Sequence, residues 1–307
     1  MRETLAPIPP AGQPVEARAP SLRRLHRQTG FWHDALRRLL RNRLAVVGAV
    51  MVATILLVAA TADILTPYPY AKTNFAHGYE SPNARYPLGT DPLGRDLLSR
   101  MIYGARISMI VGVGSQVLVI LIGVPIGAMA GYFGGRLDLY LMRVVDVMYA
   151  FPTLLFVILI MSALGAGLFN IFLAIGVTGW VTLCRLTRGQ FLALREQEFI
   201  MGARAVGATS WQVILRHLLP NALAPIIIAV TFGVPRAIFT EAALSFIGVG
   251  INPPLPSWGG MVGEYQPYLR SYWYMATFPA VAIGLTMLSF SFLGDGLRDA
   301  LDPTLRR

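Results

Sequence analysis

Lysine is almost missing from this chain. Lys72 is the only lysine among 26 basic residues, and it does not follow a glycine-rich run. A phosphate-binding loop needs Gly-Lys-Ser or Gly-Lys-Thr, so that backbone N–H groups and the ammonium cradle the phosphates. None is present, so if ATP drives this protein, another subunit binds the ATP. Cysteine is as scarce. Cys184 stands alone in an apolar run, which excludes an intrachain disulfide and a thiolate metal cluster. His26, His33, His77 and His217 are scattered. There is no His-Glu-x-x-His pair, no Gly-x-Ser-x-Gly elbow and no Cys–His zinc spacing. The common hydrolase and metalloenzyme signatures are therefore absent, and no metal site is expected. Charge of either sign is thin. Only 14% of the 307 residues are charged, against about a quarter in a soluble domain.

Apolar residues fill that space. They make up 55% of the chain, and the mean hydropathy is +0.56. A helix needs about 20 apolar residues to cross the hydrocarbon core. Runs suited to this lie at 44–65, 107–131, 139–164, 168–184, 222–249 and 273–293. The expectation is an all-α integral membrane protein with six transmembrane helices. The first run is too long, and its leading region too extended, for a cleaved signal peptide, so it reads as an uncleaved span. Gly123, Gly127 and Gly131 recur every fourth residue in the second run and share one helix face, which lets another backbone come close. Pro152 interrupts the third run and can kink it. Asp146 lies near the start of that run, and Arg236 and Glu241 lie within the fifth. Charges inside spans are costly and face protein or water. Five residues separate Arg236 from Glu241, which does not stack them on one helix face. Asp146, Pro152, Arg236 and Glu241 are candidates for a translocation pathway or for buried polar structure, with the structural role slightly favoured for the last pair.

The segments between the runs divide the chain further. Residues 1–43 form a tail. Its first twenty residues are rich in Pro and Ala and read as disordered. Residues 21–43 are basic and amphipathic, suited to an anionic lipid surface. The net charge of +10 could also suit nucleic acid, but the apolar run that follows favours the membrane, and no nucleic-acid partner is expected. Residues 66–106 form one polar loop, 107–296 the core with five spans, and 297–307 a closing tail. With six spans, both termini and the loop at 185–220 share one side. That side carries 19 Lys and Arg, the other carries six, and Arg236 is the remaining one. The positive-inside rule makes the first side cytoplasmic.

Residues 188–221, RGQFLALREQEFIMGARAVGATSWQVILRHLLPN, form a polar island between two apolar runs. Their pattern predicts helix, tight turn, helix lying at the membrane surface. Gly207 can end the first helix in a left-handed cap, and Thr209 or Ser210 can start the second, which runs to Pro220. This stretch resembles the cytoplasmic EAA loop of ABC importer permeases, which reads Glu-Ala-Ala, three residues, Gly, nine residues, Ile, one residue, Leu-Pro. Met201, Gly202 and Ala203 fall on the first three positions, Gly207 on the Gly, His217 on the Ile, and Leu219 and Pro220 on the Leu-Pro. Met201 replaces the Glu and Gly202 the first Ala. A longer match is ungapped. YPLGTDPLGRDLLSRMIYGARIS resembles the element after the first span in permeases of the dipeptide, oligopeptide and nickel importers. EAALSFIGVGINPP, PSWGGM and GDGLRDALDP resemble the same subfamily.

The resemblance implies a type I ABC importer permease fold in the inner membrane, without its own ATPase site. It implies a second, homologous permease chain, two ATPase subunits that hold ATP and Mg, and an extracytoplasmic solute-binding protein. It also implies alternating access, with peptides as the leading substrate class and nickel or another small solute as the alternative. Glu198, Phe199, Met201, Gly202, Ala203, Arg204, Ala205, Gly207 and Ala208 are expected to couple to an ATPase subunit, with Phe199, Gly202, Ala203 and Ala205 at the contact. With Met201 and Gly202 in place of Glu and Ala, that contact should be more apolar than the pattern suggests. Asp91, Gly94, Arg95 and Asp96 are expected to hold the extracytoplasmic loop. A solvated turn with weak ion pairs is the plainer reading of the three charges. A secondary transporter would show internal repeats, and none is visible. An intramembrane enzyme would need a constellation within the spans, where only Asp146, Arg236 and Glu241 carry charge. Neither alternative gives the polar island a purpose.

Overall fold

Asn42 opens the first membrane helix. Its Oδ1 accepts the N–H groups of Leu44 (3.1 Å) and Ala45 (3.2 Å), satisfying donors that the helix leaves free. The computed structural model describes residues 31–301. The Pro- and Ala-rich first twenty residues, the first basic residues of the amphipathic segment and the last six residues lie outside the described residues.

In chain order the helices are α1 (Phe31–Arg41), α2 (Arg43–Ala60), α3 (Ala62–Leu65), α4 (Leu97–Phe133), α5 (Gly135–Ala150) and α6 (Thr153–Leu164). They continue with α7 (Leu168–Arg195), α8 (Glu198–Ala205), α9 (Ser210–Gln212), α10 (Leu219–Phe246), α11 (Trp258–Tyr265) and α12 (Trp273–Leu301). Among the described residues, five helices are long and apolar enough to cross a membrane: α2, α4, α7, α9 with α10 as one helix, and α12. The pair α5–α6 passes the same test together and bends by 88°.

That bend sharpens the reading of the third run, which is two helices broken at Pro152 and not one continuous kinked helix. Phe151, the residue before Pro152, is forced into extended backbone (φ −84°, ψ 133°), as the ring of a following proline requires. α6 then starts with Pro152 at its cap. α4 and α7 run parallel. Gly123 abuts the carbonyl of Trp180, Gly127 that of Cys184, and Gly131 that of Arg188. A Cβ on Gly123 would lie 2.8 Å from its carbonyl oxygen, and one on Gly131 2.7 Å from its own. The glycine face read from the sequence is thus the face on which α7 lies. Two parallel helices joined through α5 and α6 require that pair to return across the bundle. α5 packs Val145 beside Ile122, Ile126 and Cys184, and α6 packs Val157 and Met161 beside Val111 and Ile171, which traces that return.

Other span limits shift too: α4 starts at Leu97, inside the stretch 66–106 read as a loop, α12 continues to Leu301, and α7 and α10 change as well. α7 continues to Arg195, eleven residues beyond the end of its apolar run at 184. Arg188 forms a two-pronged ion pair with Asp138 on α5 (2.5 and 2.6 Å), and Arg185 donates to Asp146 (2.6 Å). Partnered charges let the helix pass where hydropathy falls. At the other end of the polar island Pro220 does not stop a helix. Val213–Leu218 form a π turn, in which Leu219 N–H donates to Ile214 O. The chain enters α10 with Pro220 in its first turn, where a missing N–H costs little. The surface part of the island is therefore short, about 196–212.

Of the four buried apolar clusters among the described residues, two position the loops. One lies among α2, α4, α10, α11 and α12 and includes Leu97, Ile238, Trp258, Met261, Tyr265 and Met275. The other joins the ends of α4 and α7 to α8 and the base of α10 through Phe191, Ile200, Val213, Ile214 and Leu218. The first cluster fixes the loop before α4, and the second fixes the polar island.

Candidate functional site

The polar island is built on rigid supports. In α8, Ile200 is fully buried among Phe191, Val213, Ile214 and Leu218. Arg204 lies over the Tyr132 ring at 5.2 Å, and Arg195 donates to the carbonyls of Gly131 (3.2 Å) and Tyr132 (3.4 Å). Gly207 follows in the left-handed region (φ +88°), where a Cβ is penalised. Thr209 then starts α9 with a reciprocal cap. Its Oγ1 accepts Gln212 N–H (3.4 Å) and its own N–H donates to Gln212 Oε1 (2.8 Å). Helix, glycine turn and capped helix are thus as the residue pattern reads.

The outward face differs in one residue. Glu198, Phe199, Met201, Gly202, Arg204, Ala205 and Gly207 are exposed, and Ala208 is half-buried. Ala203, expected at the contact, is only 9% exposed and turns inward. With Ile200 inward at i−3, helical geometry puts Ala203 on the same face. The patch left for a partner is Phe199, Gly202, Ala205 and the exposed Val206, with Trp211 exposed on α9.

At the opposite end Asp91, Arg95 and Asp96 are buried, not solvated. Asp91 Oδ1 accepts the backbone N–H groups of Leu93 and Arg95, both at 2.9 Å. Its Oδ2 accepts Arg95 Nε (2.5 Å) and the Tyr265 hydroxyl (3.0 Å). Arg95 also binds Glu264, and Arg100 donates to the other Glu264 oxygen (2.8 Å). Two arginines and two carboxylates cancel in charge. Burial pushes the Tyr265 phenol well above its ordinary pKa, so it stays neutral and donates. Asp96 caps α4, accepting Ser99 N–H (2.8 Å) and Oγ (2.6 Å). Gly94 makes the turn between them at φ +67°. The network ties the loop to α11. Sequence reading missed Arg100, Glu264 and Tyr265, because α11 lies far along the chain and no spacing signals the pairing.

Between these ends lies a cavity of about 530 Å³. Gln116, Tyr149, Pro152, Thr178, Thr182 and Arg236 are among its walls. The α5–α6 break opens onto it. Of the four intramembrane candidates, Pro152 and Arg236 reach the cavity, and Asp146 and Glu241 do not. Asp146 is held by Arg185, which also lies 4.2 Å over the Tyr149 ring. Glu241 is fully buried and accepts the Ser245 hydroxyl at 2.7 Å. No ion pair joins Arg236 and Glu241 among the described residues.

Comparison with known proteins adds the following. Residues 123–307 match the family described as binding-protein-dependent transport system inner membrane component. Residues 30–82 match the N-terminal transmembrane domain of oligopeptide transport permease C. The chain is 42% identical to an oligopeptide transport system permease protein of Bacillus subtilis (strain 168), over 96% of this chain and 97% of that one. It is 44% identical to a dipeptide transport system permease protein of the same organism, over 90% and 87%. It is 38% identical to a glutathione transport system permease protein of Pectobacterium atrosepticum, over 90% and 92%. Among solved structures, an inward-facing MetNI methionine ABC transporter chain aligns with TM-score 0.56 at 19% identity, covering 67% of this chain and 98% of that one. That likeness is one of fold, the type I importer permease.

Proposed function

Since the chain belongs to the family of binding-protein-dependent transport inner membrane components, we propose that it is the permease subunit that carries short peptides through the membrane in an ATP-driven importer. Similarity over nearly the whole chain to oligopeptide and dipeptide permeases is the observation that carries the substrate class. A second, homologous permease completes the pathway, two ATPase subunits sit below it with their ATP and Mg, and a solute-binding protein delivers the peptide from outside. The chain lies in the inner membrane with both termini cytoplasmic, a reading supported by the excess of arginine on that side.

The element at 196–212 supports the mechanism. It is rooted in α7 and α10, so a push on it moves two membrane helices together. Its exposed apolar patch lacks a covering within the described residues, and an exposed Phe199 beside the small Gly202 and Ala205 suits insertion into a groove. ATP closure of the ATPase pair would then move α7 and α10, two walls of the central cavity. The test is reconstitution. Vesicles containing this chain, its partner permease, the ATPases and the binding protein should accumulate a labelled dipeptide or tripeptide only with ATP. The purified chain alone should hydrolyse none. Full peptide uptake in vesicles that lack this chain would reject the reading.

A further inference from the structure

Arg236 is the one charged side chain on the cavity wall, and it has no hydrogen-bond or ion-pair partner among the described residues. A guanidinium in a membrane span is costly unless something answers its charge. Neither nearby carboxylate answers it: Asp146 pairs with Arg185, and Glu241 is enclosed away from the cavity, with one oxygen accepting Ser245 Oγ and the other unpartnered. Across the cavity wall from α10 stands Gln116 of α4. It is only 7% exposed, lines the same cavity, and its carboxamide makes no hydrogen bond among the described residues. Its polar atoms are not among the enclosed, unpartnered ones, so the amide opens to the cavity and is free to bind what enters it. The side chain reaches this position over Gly233, where a Cβ would collide with its carboxamide. One turn of α10 thus supplies both the gap that admits Gln116 and the cation beside it.

We propose that Arg236 and Gln116 form a docking point for the C-terminal carboxylate of the peptide in transit, so that the permease itself favours substrates with a free C-terminus. This rests on the peptide-permease reading above. A guanidinium accepts a carboxylate in two parallel hydrogen bonds. The carboxamide has an N–H for the carboxylate and an oxygen for the last peptide N–H. The rest of the wall is apolar or carries neutral hydroxyls such as Thr178 and Thr182. That composition grips the group common to all peptides and leaves their side chains ungripped.

Two measurements test it. In reconstituted vesicles, uptake of a dipeptide is compared with uptake of its C-terminal amide, using one binding protein throughout, so that any change in ratio belongs to the permease. Arg236→Gln should lower the acid-to-amide ratio about tenfold, the scale of a lost charge-assisted hydrogen bond. Gln116→Leu should lower it less, and Arg236→Lys should restore most of it. An unchanged ratio in Arg236→Gln and Gln116→Leu overturns the proposal. The second measurement needs no substrate. With Cys184 replaced by Ala, a thiol at Thr182→Cys is modified by methanethiosulfonates bearing a sulfonate or a trimethylammonium group. Arg236→Gln should cut the sulfonate-to-ammonium rate ratio about tenfold, and a ratio unchanged within about twofold rejects a carboxylate site. If the wild-type vesicles transport neither peptide, the peptide reading falls, and the thiol measurement still decides whether Arg236 draws anions into the cavity.

Discussion

Asp91 and Arg95 are the residues whose loss should cost most. Breaking a buried ion pair from one side leaves the other charge unanswered, at about 3–5 kcal/mol. Asp91→Asn or Arg95→Ala should therefore reduce the yield of folded protein in detergent and lower its unfolding temperature, read by fluorescence-detected size exclusion after heating. Tyr265→Phe removes one hydrogen bond and should cost about 1 kcal/mol. Wild-type thermal behaviour in both charge variants would remove the network from the fold's supports. The two charges of α10 should separate in the same assay. Glu241→Ala should lower yield, because Glu241 is buried at its Ser245 contact. Arg236→Ala should leave yield intact and change transport. From sequence these roles were half legible. A charge inside an apolar run marks itself, and the spacing of Arg236 and Glu241 already argued against a pair. Which of them faces a cavity depends on α4 and α11, and neither is adjacent in the chain. Glu264 gave no sign of joining Asp91 and Arg95, since the pairing spans 169 residues.

At the scale of elements, the polar island makes the sharper prediction. Gly207→Val places a β-branched residue at φ +88°, where L-residues are strained by roughly 1–2 kcal/mol, and should weaken both the turn and ATPase capture. Gly202→Trp adds bulk to the exposed face and should block capture while leaving yield unchanged. Ala203→Trp adds the same bulk to the buried face and should lower yield first. Co-purification of the ATPase subunits from membranes, normalised to the amount of this chain, distinguishes the two. Equal capture by Gly202→Trp and wild type would sink docking on this face. Because Phe199 and Val206 dominate the patch, capture by the wild type should persist in high salt, where exposed ion pairs are screened. A steep loss with salt would reject the apolar contact alone. The island's form was readable because Gly207 and Thr209 act locally. Its limits were not, because Arg185 and Arg188 looked like the end of a span and are partnered by Asp146 and Asp138. The break at Pro152 was visible as a proline, but the 88° angle follows from the packing of α5 on α4 and of α6 on α7.

For the whole molecule, the path of α5 and α6 fixes the orientation of everything after it. If the bent pair were re-entrant, α7 would start on the side where α4 ends and would run against it. The glycine contacts instead advance together along both helices, from Gly123 and Trp180 to Gly131 and Arg188. The pair must then cross, which puts its two ends on opposite faces. The charge distribution supplies the sign. Arg136 lies in a segment grouped with the arginine-rich side, and residues 165–167 carry no Lys or Arg. With Cys184 replaced by Ala, a thiol at Arg136→Cys should react with an impermeant maleimide only after the membrane is opened. A thiol at Ala166→Cys should react in intact cells. Both positions are exposed, so access is set by the membrane and not by packing. Ser81→Cys, exposed in the 66–96 loop, should behave like Ala166→Cys, and Gln197→Cys, exposed beside α8, like Arg136→Cys. Ser257 is unsuitable as a probe, since it is buried and caps α11 through Gly260 N–H at 3.1 Å. Labelling of Arg136→Cys and Ala166→Cys from the same side would contradict the crossing. Labelling of Gln197→Cys from outside would invert the orientation, place the α8 patch away from any cytoplasmic ATPase, and so remove the coupling role with it.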